Sequence, residues 1–131
     1  MNVQLLLDTC TLLWLAAEPN RLSTKARRAL DDERNSLTLG DVSALEITLK
    51  WSTGKLTLPS PPRTWIESQL ATWGIASLGI RRDHIYRAAE LPQLHRDPFD
   101  RLLVAMALAE NLTIVTPDTA VTAYPVATLW S

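Results

Sequence analysis

Four carboxylates, Asp8, Glu46, Asp100 and Asp118, stand where apolar segments run out or where helices are due to begin. Asp8 directly follows Val3-Gln4-Leu5-Leu6-Leu7, and Asp118 follows Leu112-Thr113-Ile114-Val115-Thr116-Pro117. If these two segments are neighbouring parallel strands, both acids leave the same sheet edge, where open α/β folds build their sites. Carboxylates brought together repel one another and lose hydration, so a cation is the natural way to hold them.

Each acid also has a purely structural explanation. Asp8 could cap the helix that follows, but Thr9 or Thr11 would cap as well without setting a charge beside a buried strand, and this favours a site role. Ser43-Ala44-Leu45-Glu46 matches a capping box, in which Glu46 bonds back to the Ser43 amide; capping and a site role remain open together. In Asp97-Pro98-Phe99-Asp100, Asp97 takes the N-cap position and Pro98 the first helical position. Both acids suit the positive end of a helix. Asp100 is the better candidate for chemistry because Asp97 already has the capping task, although Asp97 could reach a metal through water. Asp118 lies in a turn, which takes Asp readily, and its weight comes from following a second apolar strand. Thr116 could orient neighbouring carboxylates by hydrogen bonding.

Other constellations are poorer. His84 and His95 are far apart in sequence without metal-motif spacing, and read as a helix-surface and a loop residue. Cys10 lacks a nucleophile motif and reads as packing beside the first helix. With glycines only at 40, 54, 74 and 79, no phosphate-binding glycine loop is present. The five tryptophans read as core or interface.

The elements that must position the acids alternate in kind. Strands are expected at residues 3–7, 36–39, 75–80, 112–116 and 126–129. Helices are expected at 11–17, 23–32, 43–51, 62–73, 83–91 and 98–110. Such alternation predicts an α/β fold whose parallel sheet is covered on both faces, with a strand order that one sequence does not reveal. At 131 residues, 47% apolar and 21% charged, the chain is expected to be one globular domain, 1–131, with no boundary, repeat or charge block. The single cysteine excludes an internal disulfide framework and fits a reducing cytoplasm. No apolar span of membrane length and no signal-peptide pattern is visible. A net charge of −1 does not advertise a polyanion binder, yet a clustered acid pocket leaves the rest of the surface net basic.

Taken together, the motifs resemble those of the PIN-domain ribonucleases. Leu5-Leu6-Leu7-Asp8-Thr9 looks like their opening strand. Ser43-Ala44-Leu45-Glu46-Ile47 through Lys50, with Gly54-Lys55-Leu56, resembles the second acidic motif. His95-Arg96-Asp97-Pro98-Phe99-Asp100-Arg101-Leu102-Leu103, with Ala105 and Ala107, looks like the third, and Thr116-Pro117-Asp118 the fourth. The compact length and this third motif are similar to VapC-type toxins of bacterial toxin–antitoxin pairs. The resemblance runs from about Val3 to Trp130, and the order and spacing of the motifs make it specific. Cys10, where a histidine or asparagine is more usual, and Pro117 depart from the pattern without touching the acids.

The resemblance implies a PIN-like three-layer α/β/α fold with a mostly parallel sheet of about five strands. It implies endonucleolytic cleavage of RNA in the cytoplasm, a homodimer, and a cognate antitoxin whose C-terminal segment occupies the active-site groove. Asp8 and Asp100 are then the main metal ligands, with Glu46 and Asp118 binding through water or orienting the nucleophile, and with Thr9, Asp97 and Thr116 behind them. Oxygen ligands select Mg²⁺ or Mn²⁺ over softer ions. Lys50, Lys55, Arg96 and Arg101 are candidates for holding the RNA backbone, since an acidic pocket repels phosphate. Three alternatives remain: a related nuclease acting on DNA or processing ribosomal RNA, a non-catalytic module that binds RNA or a partner, and a small-molecule phosphatase. The second is disfavoured because a binding module gains nothing from carboxylate repulsion. The last lacks the second acid of an Asp-x-Asp pair, position 10 being cysteine.

Overall fold

The computed structural model describes residues 2–131. Strands β1 (Gln4–Leu7), β2 (Ser36–Gly40), β3 (Ile75–Leu78), β4 (Thr113–Val115) and β5 (Thr128–Leu129) form one all-parallel sheet. Their order is β3-β2-β1-β4-β5. Helices α1 (Thr9–Ala17), α2 (Thr24–Asp31), α3 (Asp41–Ser52), α4 (Pro62–Trp73), α5 (Arg82–Glu90), α6 (Pro98–Glu110) and α7 (Thr119–Thr122) fill the connections. The chain steps outward from β1 to β2 and β3, then crosses back to β4 and β5 on the other side of β1. The switch in direction therefore lies between β1 and β4, the place where open α/β sheets leave a crevice. Leu6 pairs with Ile114 and Leu7 with Val115, and the Asp8 amide donates to Val115 O at 3.3 Å.

Three successive leucines form β1 because both faces of the sheet are covered. Leu5 and Leu7 point to a core shared with Leu12, Leu15, Leu30, Ile47, Trp65 and Ile66. Leu6 points the other way, to Val42, Leu103, Val104, Met106 and Ile114. Each of these leucines has no exposed surface, and burial of each contributes roughly 2 kcal/mol. The three-layer α/β/α architecture expected from the sequence is thus present.

Several boundaries differ from expectation, for local reasons. Helix α3 starts at Asp41 with Gly40 as its N-cap, so Ser43 is a buried helical residue and the expected capping box does not form. A side chain at Gly40 would stand 3.1 Å from Met106 Cε, so the bare backbone lets the end of β2 approach α6. Thr9 and Thr11 lie inside α1, which Asp8 caps. A short 3₁₀ turn at Pro19–Arg21 and helix α7 were not expected, and β3 and β5 are shorter than the apolar runs that suggested them. Trp65 is core, whereas Trp51 and Trp73 are exposed at 39% and 38%. Trp14 and Trp130 pack with ring centroids 5.8 Å apart, and the Arg21 guanidinium lies 4.3 Å from the Trp14 ring. No helix among the described residues is long and apolar enough to cross a membrane.

His84 is not on the surface; it is fully buried. Its Nδ1 accepts the Arg81 amide at 3.0 Å, and its Nε2 lies 2.8 Å from Glu110 Oε2, tying the start of α5 to the end of α6. On α5 the inward side carries His84 and part of Ala88, while Ile85 and Ala89 are exposed. His84→Ala is expected to lower the unfolding free energy in a urea titration by about 2–4 kcal/mol, combining a cavity with two stranded polar groups. A surface histidine would change it by less than about 0.5 kcal/mol.

Candidate active site

The β1–β4 crevice collects acids from four elements. Asp8 stands at the end of β1, almost buried, with Oδ1 accepting the Thr11 amide at 2.8 Å. It therefore caps α1, the structural role open to it, at the end of β1. The Cys10 thiol lies 3.2 Å and 3.4 Å from the Asp8 oxygens. Burial, and then the Asp8 charge, push that thiol far above its usual range, so it is a weak donor and not a nucleophile.

Glu46, on α3, is also almost buried. Thr9 Oγ1 donates to its Oε1 at 2.6 Å and Lys50 Nζ to its Oε2 at 2.7 Å. Thr9 follows Asp8 directly, so this bond joins the β1 end to α3. The Glu46 bond holds the Lys50 ammonium above its usual range, keeping it charged. Asp118 caps α7, its Oδ1 accepting the Ala120 amide at 2.9 Å, while its own amide donates to Thr116 Oγ1 at 3.1 Å. Thr116 is buried and so orients the Asp118 backbone.

Asp100 sits in the first turn of α6, and Asp97 caps that helix by accepting the Phe99 amide at 2.9 Å. The Asp100 carboxyl is pushed from its ordinary 3.8 up to about 6, first by burial and then by the Asp97 charge. Glu46 and Asp118 push the same way, and His95 opposes them. His95 is the residue the sequence missed. Its Nε2 lies 2.9 Å from Asp100 Oδ2 and 3.5 Å from Asp118 Oδ2. His95, Asp100 and Asp118 offer ligand-type atoms all within 4.8 Å of one another. Spacing could not find this histidine, because its partners come from α6 and the turn after β4. Its place two residues before the α6 cap was the available signal.

Of the basic candidates, Lys50, Lys55 and Arg96 have exposed side chains. Arg101 corrects the expectation of an RNA contact. It is buried, and its guanidinium donates to Ala88 O at 2.6 Å, Pro92 O at 3.0 Å and Leu91 O at 3.2 Å. A cation there satisfies the carbonyls at the end of α5 and locks α5 to α6, leaving no face for a phosphate.

The donor set suits a hard divalent cation. It is rich in carboxylate oxygens, and the raised Asp100 shows negative charge held together without full compensation. The PIN domain family model matches residues 5–126, and the chain belongs to the PIN domain family. Ribonuclease VapC22 of Mycobacterium tuberculosis (strain ATCC 25618 / H37Rv) is 32% identical over 114 residues, covering 86% of this chain and 85% of that protein. In fold, the chain is similar to VapBC2 of Rickettsia felis bound to a DNA fragment from its promoter. That match has a TM-score of 0.68 at 16% identity and covers 98% of this chain and 100% of the other. DNA-bound VapBC of Salmonella typhimurium matches with a TM-score of 0.66 at 16% identity, covering 97% of each chain.

The raised Asp100 sets a pH dependence of stability in metal-free protein. A carboxyl whose folded pKa lies above its unfolded value binds its proton more tightly when folded. Its contribution is fully present below about 4 and is lost as pH rises through about 6. Thermal melts in chelator should show Tm falling across that window. Asp100→Asn should flatten the fall and raise Tm at neutral pH; an unchanged slope would show that Asp100 is not the group responsible.

Proposed function

We propose that this chain is a divalent-metal-dependent endoribonuclease and the toxin of a toxin–antitoxin pair, acting in the cytoplasm. The observation that carries the reading is the convergence of Glu46, Asp97, Asp100 and Asp118, with Lys50 and His95 offsetting them only in part, beside the Asp8 strand end that the Thr9–Glu46 bond ties to them. Nothing in folding is gained from that repulsion, so function accounts for it. Family membership and the similarity to a protein named Ribonuclease VapC22 favour RNA as the substrate.

Asp8 and Asp100 are assigned as the main ligands of Mg²⁺ or Mn²⁺, with Glu46 and Asp118 completing or orienting the set. Held there, such an ion would offset charge on the scissile phosphate and lower the pKa of an attacking water. The chain's own residues do the rest. Thr9 and Lys50 fix both oxygens of Glu46, and the Thr11 amide and the Cys10 thiol fix Asp8. The α7 cap fixes one oxygen of Asp118, leaving the other directed inward. Lys50 bears further N–H donors beyond the one given to Glu46, and with Lys55 and Arg96 it offers the phosphate backbone a rim of positive charge. Single-stranded or looped RNA fits such a rim best.

A cognate antitoxin and a second copy of the chain are the proposed partners. A groove of about 610 Å³ runs beside α1, α4 and the 56–60 loop, lined by Leu13, Trp14, Leu56, Leu58 and Trp65. It suits an apolar stretch of the antitoxin. Leu45 and Leu49 on α3 and Ile85 and Tyr86 on α5 are exposed apolar side chains suited to a homodimer.

The test compares purified chain on RNA and DNA of the same sequence. RNA should be cleaved internally with Mg²⁺ or Mn²⁺ and not in chelator, and DNA should be spared. Asp8→Asn and Asp100→Asn should each reduce cleavage by about a hundredfold or more with the circular dichroism unchanged. Full activity of either variant, or in chelator, would overturn the reading.

A further inference from the structure

The segment 91–97 brings His95 to the acids, yet it forms neither helix nor strand, so its place is set by side chains. Tyr124 is the one that holds its middle. The ring is buried in the core that contains Leu6, Leu103 and Ile114. Its hydroxyl donates to Pro92 O at 3.1 Å, and accepts the His95 amide at 3.0 Å and Arg101 Nη1 at 3.3 Å. A hydroxyl has one proton and two lone pairs, so its whole bonding capacity is spent here. Arg101 has a second hold on the segment through Pro92 O at 3.0 Å. The His95 amide has one proton and gives it to the hydroxyl.

Both sides of this clasp lead to acids. On one side the His95 imidazole lies 2.9 Å from Asp100 Oδ2 and 3.5 Å from Asp118 Oδ2, with Nδ1 accepting the Asp97 amide at 3.1 Å. On the other, Tyr124 follows the Ala123 C-cap of α7, the short helix that Asp118 caps at its start. Packed core side chains keep fixed positions, so a hydroxyl on a buried ring fixes what it binds. The Asp97 amide orients the imidazole, and Tyr124 sets the backbone from which the imidazole projects.

We propose that the Tyr124 hydroxyl is a positioning group of the active site: through the His95 backbone it places the imidazole against Asp100 and Asp118, and so keeps these two acids at the separation that binds an ion. The inference rests on the metal-site reading above and adds a residue outside the acidic motifs. Tyr124 touches neither ion nor RNA, and acts through His95.

Mn²⁺ titrations followed by electron paramagnetic resonance at one neutral pH test this without RNA. Tyr124→Phe keeps the ring and removes the hydroxyl, His95→Ala removes the imidazole and keeps the amide, and a third variant carries both changes. Leu30→Ala, a core substitution on α2, is the control for lost stability alone. Circular dichroism and thermal melts check that each is folded. Tyr124→Phe should weaken Mn²⁺ binding roughly tenfold, His95→Ala by at least as much, and the double variant no more than His95→Ala. Leu30→Ala should melt lower and bind Mn²⁺ as wild type does. Wild-type affinity in Tyr124→Phe would overturn the proposal, leaving the hydroxyl a purely structural role. Losses that multiply in the double variant would overturn it too, because Tyr124 would then act by a route other than His95. So would equal weakening in Leu30→Ala, since affinity would then follow stability. Wild-type affinity in His95→Ala would refute it from the other end, even were Tyr124→Phe unable to fold. Wild type binding no Mn²⁺ would bring down the metal-site reading and this inference with it, a result distinct from each of these.

Discussion

Asp100 is pressed up to about 6 because burial and the charges of Asp97, Glu46 and Asp118 all oppose its ionisation, and the surrounding structure holds that arrangement against its own repulsion. The means are local and repeated. Asp8, Asp97 and Asp118 each accept a backbone amide at a helix start, where the peptide dipoles favour negative charge. Glu46 is too deep in α3 for a cap, and a hydroxyl and an ammonium serve instead. Asp100 has no backbone donor of this kind and leans on His95. Three capped acids with fixed positions and two held by side chains make a crevice that is rigid and short of positive charge.

The sheet order makes this possible. A parallel sheet sends every strand end to one edge, and the reversal between β1 and β4 opens that edge where Asp8 and Asp118 emerge. Helices α3 and α6 then bring Glu46 and Asp100 in from the flanks. The bond from buried His84 to half-buried Glu110 and the Arg101 clasp on α5 fix α5 against α6 and so fix where α6 begins. Stability spent on separating these acids would be lost to function, which is why replacing one of them is expected to stabilise the metal-free chain.

The amino-acid pattern disclosed the strands and most helices, because apolar runs and capping residues act over a few positions, and it named Asp100 and Asp118, which the fold brings together with His95. It failed where partners are distant in sequence. His95 and Asp118 are brought together by tertiary packing, so no spacing rule could join them. Arg101 follows the Asp97-Pro98-Phe99-Asp100 motif and shared its promise, but one residue around a helix turns a side chain from the crevice into the core. His84 was misplaced for the same reason. Ser43 and Glu46 matched a capping box, and α3 simply began two residues earlier, where Gly40 ends β2. At Asp8 the helix cap stood beside a site role, and the structure shows the cap.

The claim on which all of this turns is that the convergent acids exist to hold a divalent ion. A ligand that binds only the folded state raises its melting temperature by mass action, by roughly 2.7 kcal/mol of stability at a hundred times Kd. Thermal melts of wild type and Asp100→Asn at neutral pH, each with and without Mn²⁺, therefore test it directly. A rise in Tm with Mn²⁺ in the wild type, absent or much reduced in Asp100→Asn, is the predicted result. An unchanged wild-type Tm, or an equal rise in both proteins, would contradict it.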